Sequence, residues 1–280
     1  MAPRVRISLS PQIAMDTKKF QRIIKEYYRN NKRNLPWRTT KDPYKIHVSE
    51  VMLQQTQVSR VIPKYLSFVK NFPTTQALSE AKLADILVEW QGLGYARRAI
   101  FLKQCAEKVS KEYGGKFPKD LKTLCSLPGI GPATAGDIMA FAWNIPVTVI
   151  ETNIRSVFIH FFFPNKRKVT DKEIIPLIER SLDKKNPREW YWALFDYGSF
   201  LKKTGNPSVR SAHYTKQTPF KGSYRQKRSR IIKILLEKSR TERKIQEISQ
   251  YEKSLVSKIL LDLQKSQFIR KTASNLYIIA

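Results

Sequence analysis

Helical hydrophobic spacing recurs along residues 16–201, and the helical segments are separated by proline, glycine and asparagine. The first segment already shows this spacing in its large apolar side chains, which are Phe20, Ile23, Ile24 and Tyr27. Strand-type alternation of apolar and polar residues is scarce in this stretch. The sequence therefore predicts an all-α domain over residues 16–201, preceded by a basic N-terminal tail over residues 1–15.

The charge of the chain is strongly positive. Lysine and arginine number 52 against 23 aspartates and glutamates, which gives a formal net charge of +29 at pH 7. Such an excess indicates a polyanionic partner and favours nucleic acid over a membrane. The longest apolar run, Val157–Phe163, is far shorter than the roughly 20 residues that a membrane-spanning helix needs. We therefore expect a nucleic-acid partner, no membrane insertion and a monomeric protein.

Cysteine usage and the N-terminal sequence bear on the compartment. The chain has two cysteines, Cys105 and Cys125, which argues against a disulfide scaffold and fits a reducing environment. The stretch Met1–Lys19 is basic but lacks the apolar segment of a secretory signal. We therefore expect an intracellular protein of the cytoplasm or nucleoid.

The C-terminal third differs in composition from the rest. Residues 202–229 are polar, basic and rich in glycine, proline and serine, which predicts a linker or a DNA-facing loop. Residues 230–280 show three helical patterns, with Thr241 as a helix cap, followed by two short strand patterns around Ala273-Ser274-Asn275. This order resembles a winged helix-turn-helix and predicts a second DNA-binding module; a packing or partner-binding appendage is the alternative.

A glycine-rich string joins two of the predicted helices, and its sequence is Leu127-Pro128-Gly129-Ile130-Gly131-Pro132. Gly129 and Gly131 permit backbone torsions closed to other residues and allow a phosphate to approach closely. Pro132 suits the first turn of the next helix, where a missing N–H costs nothing. The amides at that helix start would then face an anion. The string predicts a phosphate-binding hairpin, with a plain helix-turn-helix loop as the alternative.

Glu50 is the carboxylate of the otherwise uncharged string Ser49-Glu50-Val51-Met52-Leu53-Gln54-Gln55. Residues 48–58 read as one helix that directs Val51 and Met52 to a core. A glutamate beside this apolar face is expected to lose part of its hydration, which raises a carboxyl pKa towards that of a useful general acid. An ordinary surface glutamate is the alternative.

The motifs together resemble the MutY-type adenine DNA glycosylases of the helix-hairpin-helix superfamily. The shared order and spacing run from about Asn34 to Gly198, and the further matching strings are Leu35-Pro36-Trp37-Arg38, Trp90-Gln91-Gly92-Leu93-Gly94-Tyr95 and Gly114-Gly115-Lys116-Phe117-Pro118. The resemblance implies a two-lobed helix-hairpin-helix glycosylase fold with a cleft. It also implies that Glu50 protonates the base that is removed.

The resemblance extends to a second catalytic carboxylate, which the family supplies as an aspartate in an Asp-Gly-Asn string. Glu151 stands at this position and Asn153 matches the asparagine. The implied role is to stabilise an oxocarbenium-like sugar cation, with a helix-start glutamate as the alternative. Bifunctional relatives carry a lysine where this chain has Ala133, directly before Thr134. An alanine cannot form a Schiff base, which implies a monofunctional glycosylase.

The family comparison further implies a base pocket and two residues that wedge into the duplex when a base is flipped out. The wedge residues are Gln55 and Tyr95. The pocket positions are Trp37, Arg38, Leu53, Gln54 and Trp192. Phosphate contacts are implied for the hairpin residues Leu127, Gly129, Gly131, Ala133 and Thr134. Two departures bear on adenine specificity: Trp192 replaces a glutamate or glutamine, and Tyr95-Ala96 replaces Tyr-Tyr.

The expected cofactors also differ from those of most relatives. A four-cysteine iron–sulfur cluster usually follows the glycosylase core in this family, and such a cluster needs about four thiolate ligands. Residues 201–220 contain no cysteine, so no cluster and no structural metal are expected. Carbonyl groups of the hairpin are expected to hold a monovalent cation. Residues 230–280 do not resemble the Nudix-like domain with which many MutY proteins recognise 8-oxoguanine.

The resulting functional prediction is a monofunctional DNA glycosylase in base excision repair. It would act on mismatched or damaged double-stranded DNA and hydrolyse the N-glycosidic bond of adenine opposite guanine or 8-oxoguanine. Two alternatives stay open. One is excision of thymine or uracil opposite guanine, and the other is a mismatch-binding protein without chemistry, which the change to Glu151 would favour.

Overall fold

The computed structural model describes residues 15–280, so the predicted tail lies outside the described residues except for Met15. The helices, in chain order, are α1 (Thr17–Asn31), α2 (Pro43–Leu53), α3 (Val58–Asn71), α4 (Thr75–Glu80), α5 (Leu83–Trp90), α6 (Arg97–Tyr113), α7 (Leu121–Cys125), α8 (Pro132–Trp143), α9 (Thr152–Phe162), α10 (Asp171–Ser181), α11 (Pro187–Thr204), α12 (Tyr224–Glu237), α13 (Glu242–Ser249) and α14 (Lys253–Lys265). Two 3₁₀ turns, Pro36–Arg38 and Pro207–Arg210, interrupt the series, and an antiparallel hairpin of β1 (Ile269–Lys271) and β2 (Tyr277–Ile279) ends it. The predicted all-α core is confirmed. Within residues 15–280, no helix has the length and apolar character required to cross a membrane.

The described chain forms two compact units. Residues 15–33 and Asn144–Thr215 form the first, and Asn34–Trp143 together with Lys216–Ala280 form the second. The first unit therefore combines an N-terminal helix with a later stretch of the chain, and the second combines the middle of the chain with its C-terminal part.

An aromatic cluster forms the core of the first unit. Phe20 of α1 lies with ring-centroid distances of 5.0 to 5.9 Å from Phe158, Phe161, Phe162 and Trp190. Such tilted and edge-on contacts suit the charge distribution of aromatic rings. Helices α9 and α11 also approach closely at Gly198, where a Cβ atom would lie 2.5 Å from the carbonyl oxygen of Asn153. A glycine is therefore required there, and the start of α9 is fixed against α11.

The core of the second unit is built around α2 and α8, which pack against each other. Every residue of α8 from Thr134 to Ala142 is buried, as expected for a helix surrounded by others. Helix α2 buries Val48, Val51 and Met52. Helix α2 carries Glu50, and α8 begins at Pro132, the last residue of the glycine-rich string, so the apolar core sets the position of both features.

The predicted helix over residues 48–58 is wrong. Helix α2 begins earlier, at Pro43, ends at Leu53, and is followed by a turn before α3 begins at Val58. Gln54 leaves the helical conformation with φ of −56° and ψ of 110°, which stops the helix, and Gln55 follows with a left-handed φ of 55°. The hydrophobic periodicity did not reveal the turn, because apolar residues continue at helical spacing on both sides of it.

The C-terminal residues form three helices and a hairpin, in the order that the sequence patterns predicted. Thr241 caps α13 by accepting the N–H of Lys244 at 3.3 Å, and Ile269 pairs with Ile279 in the hairpin. Helix α12, however, begins at Tyr224, inside the stretch predicted as a linker. Ser223 caps it, and its first two turns are basic and polar, so they gave no apolar signal.

Candidate active site and nucleic-acid interface

Glu50 lies near the C-terminal end of α2, in the second unit. The helix starts where the Asp42 carboxylate accepts the N–H of Tyr44 at 2.9 Å, a standard N-cap contact. Glu50 is half-buried, and the two residues that follow it, Val51 and Met52, are buried. The carboxyl group therefore occupies a partly desolvated position on a rigid element, which suits a general acid.

Four of the five predicted pocket residues belong to the same unit as Glu50. Trp37 is buried in the first 3₁₀ turn, with its ring 5.5 Å from that of Tyr65 in an edge-on arrangement. Arg38 and Leu53 are half-buried, and Gln54 is exposed. Trp192, the fifth residue, is half-buried on α11 of the first unit.

The glycine-rich hairpin has part of the conformation that its sequence predicts, because Gly129 has a positive φ and Gly131 does not. Gly129 has φ of 75°, and a Cβ atom there would lie 2.6 Å from the Cβ of Phe101. Gly129, Gly131 and Pro132 are exposed at the start of α8. The first amides of a helix have no carbonyl partner within it, so this exposed helix start can receive a phosphate oxygen.

The other predicted hairpin residues differ in exposure. Leu127 and Thr134 are buried, and Ala133 is half-buried. The buried Leu127 side chain therefore anchors the hairpin to the core. The side chain of Thr134 is likewise turned into the core, so its contribution to phosphate binding would come from its backbone N–H.

The predicted wedge residues occupy two turns of the second unit, residues 53–56 and 93–96, which we call the wedge turns. Gln55 and Tyr95 are both exposed, and both have a left-handed backbone, with φ of 55° and 45°. This conformation is uncommon for residues other than glycine and persists only where the surroundings hold it. Gln55 and Tyr95 thus share a backbone conformation that leaves each side chain exposed at its turn.

One buried arginine holds both wedge turns. Its Nη1 atom donates to the carbonyl oxygens of Val51 and Gln54 at 2.7 and 2.6 Å. Its Nη2 atom donates to those of Leu93 and Gly94 at 3.1 and 3.0 Å. Burial lowers the pKa of this residue, Arg98, to about 10, so it remains a cation at neutral pH.

Sequence reasoning missed Arg98, although a signal was present. The residue lies in the first turn of α6, where a cation opposes the helix dipole. An arginine at such a position needs another reason to be there. The reason is the set of carbonyl groups at the two turns, which a planar guanidinium can bind simultaneously.

The stretch predicted as a linker also reaches the wedge turns. Gln217 donates from Nε2 to Oε1 of Gln55 at 2.8 Å. The Arg225 guanidinium is hydrogen-bonded to the Tyr95 hydroxyl and lies 5.1 Å from the centre of its ring. Arg225 also donates to the carbonyl oxygen of Thr218 at 2.7 Å. Both wedge side chains therefore have a partner from residues 216–225, which the sequence patterns gave no reason to expect.

Glu151 lies in the first unit and caps α9. One carboxylate oxygen accepts the N–H of Ile154 at 2.8 Å, and the other accepts the side-chain amide of Asn153 at 3.1 Å. Burial raises the pKa of the Glu151 carboxyl, although the Ile154 N–H and the charge of Lys202 act in the opposite direction. The helix-start role is thus realised in the structure, and the same contacts fix the direction of the carboxylate.

The two cysteines differ in their exposure to solvent. Cys105 is buried on α6, where burial raises the pKa of its thiol to about 12, and Cys125 is exposed at the end of α7. Among residues 15–280, no three histidine, cysteine or acidic side chains are grouped so as to hold a metal ion. The segment after α11 forms a 3₁₀ turn, and Arg210 there donates to the carbonyl oxygen of Pro164 at 2.8 Å.

Known proteins are similar to this chain in sequence and in fold. Residues 48–183 match the model of the HhH-GPD superfamily of base excision DNA repair proteins. An adenine DNA glycosylase of Buchnera aphidicola subsp. Baizongia pistaciae is 36% identical over 192 residues, which cover 67% of this chain and 54% of that relative. The corresponding protein of Mycolicibacterium smegmatis is 43% identical over 132 residues, which cover 47% of this chain and 45% of the relative. The chain thus spans about half the length of these curated relatives.

Solved structures agree in fold. A thermostable thymine-DNA glycosylase superposes with a TM-score of 0.58 and 24% identity, covering 65% of this chain and 86% of that one. A trapped endonuclease III–DNA covalent intermediate gives a TM-score of 0.55 and 16% identity, covering 74% of this chain and 91% of that one. The chain is therefore similar in sequence to adenine DNA glycosylases, has an endonuclease III-like fold, and over residues 48–183 resembles the HhH-GPD superfamily of base excision DNA repair proteins.

Proposed function

We propose that this protein is a monofunctional DNA glycosylase of base excision repair, which removes adenine opposite guanine or 8-oxoguanine. The observation that carries the proposal is the half-buried Glu50 on α2, in one unit with the exposed hairpin and the two left-handed wedge turns. The resemblance to adenine DNA glycosylases over about two thirds of the chain supports the choice of base. Double-stranded DNA with a mismatch or lesion is the proposed partner of a monomer.

The reaction replaces the bond between base and sugar by a bond between sugar and water. Glu50 would donate a proton to a ring nitrogen of the flipped base, so that the base leaves as a neutral molecule with the electron pair of the glycosidic bond. The sugar then carries positive charge, which the Glu151 carboxylate would stabilise until water attacks the anomeric carbon. The attacking water leaves its oxygen and one hydrogen on the sugar and releases the other proton to solvent. Asn153 donates to that carboxylate and would keep it directed.

An efficient lyase step is not expected. Ala133, in the first turn of α8, has no amine with which to attack the sugar. The product would therefore be an intact abasic site that breaks only on treatment with alkali. A covalent complex trapped by borohydride would show that another amine of the chain acts as nucleophile.

We further propose that the protein works without an iron–sulfur cluster. A cluster of this kind needs about four thiolates, and the chain has two cysteines, one of them buried on α6. Carbonyl groups of the hairpin around Gly129 are the proposed site of a monovalent cation. Residues 230–280 would serve as a winged-helix DNA module, supported by their order of three helices and a hairpin.

A second candidate is excision of thymine or uracil opposite guanine. Two departures from the adenine-specific pattern favour it, namely Trp192 on α11 and the Tyr95-Ala96 pair. A thymine-DNA glycosylase is also among the proteins of similar fold, although fold similarity alone does not transmit base preference.

The deciding experiment is a panel of duplexes that carry A·G, A·8-oxoguanine, T·G, U·G and hypoxanthine·T pairs. Strand cleavage would be measured after incubation, with and without alkali, for the wild type and for Glu50→Gln. We expect alkali-dependent cleavage at the adenine of the first two pairs and none with the variant. Cleavage confined to thymine or uracil would establish the second candidate, and selective binding without cleavage would leave a mismatch-binding protein.

A further inference from the structure

The two wedge residues, an amide and a phenol, both contact the segment 216–225. Gln55 and Tyr95 stand on separate turns, and each makes a side-chain contact with residues 216–225. The contact to Gln55 comes from Gln217, and the contact to Tyr95 comes from Arg225. These residues belong to neither wedge turn, and the functional assignment of the turns does not require them.

The contact of Arg225 with Tyr95 has two components. The guanidinium donates to the hydroxyl, and it also lies 5.1 Å from the ring centroid, within the range of a cation–π contact. A ring held at its hydroxyl and near its face has little freedom to rotate. Arg225 is itself held by the carbonyl and hydroxyl oxygens of Thr218, at 2.7 and 3.3 Å.

The rotational freedom of the Tyr95 side chain matters because a wedge residue acts by inserting into the base stack of the duplex. A ring that is free to rotate must lose that freedom when it enters the stack, which weakens binding. A ring that is already ordered loses less conformational freedom. Preorganisation therefore favours the complex in which the base is flipped out of the duplex and the ring fills the gap it leaves. The same argument applies to Gln55 and its amide partner.

We propose that residues 216–225 are part of the intercalating apparatus, with Arg225 as the positioning residue of Tyr95 and Gln217 as that of Gln55. This inference rests on the proposed function, since it presumes that the wedge turns enter duplex DNA. It assigns the stretch predicted as a linker to the preparation of the wedge rather than to phosphate contacts alone.

The test uses a duplex with a stable abasic-site analogue opposite guanine, because this substrate presents the gap without any chemistry. Binding of the full chain would be compared between this duplex and an undamaged one. The fluorescence of 2-aminopurine beside the gap would report filling of the stack. Arg230→Ala is the matched control, since Arg230 lies on the same helix, carries the same charge and contacts the carbonyl oxygen of Ile248 instead.

We expect Arg225→Ala to lower the preference for the abasic duplex about fivefold to tenfold, as the loss of a hydrogen bond and a cation–π contact predicts. Arg230→Ala should leave this preference unchanged and weaken both duplexes equally. Arg225→Lys keeps the charge but loses the planar fork, so it should restore binding to undamaged DNA and only part of the preference. Gln217→Ala should produce a smaller loss of the same kind.

A double-mutant comparison decides whether Arg225 acts through Tyr95. In a Tyr95→Ala background, the change of Arg225 to alanine should cost no more than the change of Arg230 does. A full effect of Arg225→Ala in that background would overturn the proposal and make Arg225 a phosphate ligand. Equal effects of Arg225→Ala and Arg230→Ala in the wild-type background would overturn it as well.

Failure of the proposed glycosylase function can be distinguished from failure of the positioning role. The duplex panel would then show no base release by the wild-type protein, whatever the binding data. Loss of the preference for the abasic duplex only in Arg225→Ala and Gln217→Ala would still establish the positioning role. A wild-type protein that does not prefer the abasic duplex at all would refute the inference directly.

Discussion

Glu50 and Glu151 are the two carboxylates proposed for the chemistry, and their surroundings differ. Glu50 lies within a helix and precedes two buried apolar residues, whereas Glu151 precedes a helix and accepts hydrogen bonds on both oxygens. Partial burial suits a group that gives up a proton, and N–H donors suit a group that carries negative charge. The same residue type is thus fitted to two tasks by its backbone position.

The sharpest test of this difference is Glu50→Gln. An amide of the same shape cannot donate an acidic proton, so base release should fall by about 10³-fold or more, near the upper range for general acid catalysis. Binding to the lesion duplex should stay within about threefold, since shape and neighbours are kept. Single-turnover rates and titration of a fluorescent duplex would measure the two quantities, and a near wild-type rate would remove Glu50 from the mechanism.

Glu151→Gln tests the other half of the comparison. The amide oxygen of glutamine can still accept the Ile154 N–H, so the helix cap and the melting temperature should change little. The rate of base release should nevertheless fall by about 10²-fold, because the negative charge beside the sugar cation is lost. Glu151→Asp keeps the charge and serves as the control. A rate unchanged by Glu151→Gln would reduce the residue to a helix cap.

The pH dependence of the rate should separate the two carboxylates further. Glu151 is proposed to act when ionised, and burial raises its pKa. Activity should therefore be lost on acidification at a higher pH than an ordinary glutamate would give, by about tenfold per pH unit below that pKa. The acid limb of the pH–rate profile should disappear in Glu151→Gln, and its persistence would assign the limb to another group.

Tyr95→Ala should affect binding rather than chemistry, in contrast to both carboxylates. Stacking of an aromatic ring in a vacated base position strengthens binding by about tenfold. The loss should appear with the lesion duplex and be much smaller with undamaged DNA, while the rate at saturating enzyme stays within severalfold. Equal losses on both duplexes would point to a role of Tyr95 in folding the turn.

The smallest expected effect belongs to the C-terminal hairpin, which should contribute charge and no selectivity. Arg270 and Lys271 are exposed on β1. Replacing both with alanine should make the slope of log affinity against log salt shallower by about 0.9 for each phosphate that is no longer neutralised. The ranking of mismatches should survive. An unchanged slope would favour a packing or partner-binding role for this part of the chain.

Sequence patterns predicted much of this molecule because they depend on local physics. The helical core, the Thr241 cap, the C-terminal hairpin and the left-handed Gly129 follow from periodicity, capping and glycine chemistry. What they missed depends on contacts between distant residues or on a cap at a helix start that has no apolar spacing. The left-handed conformation of Gln55 and the start of α12 in a basic stretch could not be read from spacing, because long-range hydrogen bonds and a serine cap decide them.

The candidate site shows the same limit. Motif resemblance supplied Glu50, Glu151 and the wedge residues, but it supplied neither Arg98 nor Arg225. Arg98 binds carbonyl groups more than 40 positions away as well as nearby ones, and Arg225 reaches Tyr95, 130 positions away. In a chain with 52 basic residues, the place of Arg98 at the start of a helix was only a weak signal. Their roles became visible only with the distances to carbonyl groups and to the Tyr95 ring.

The hydrogen bonds of Arg98 limit how the wedge turns can move and how their lengths can vary. Because one guanidinium binds carbonyl oxygens of both turns, neither turn can shift without stretching hydrogen bonds that anchor the other. The two turns are therefore mechanically coupled and should advance and retreat as one rigid body. An insertion or deletion in either turn would change the geometry of both, so the lengths of these two short segments are constrained jointly even though about 40 residues separate them along the chain.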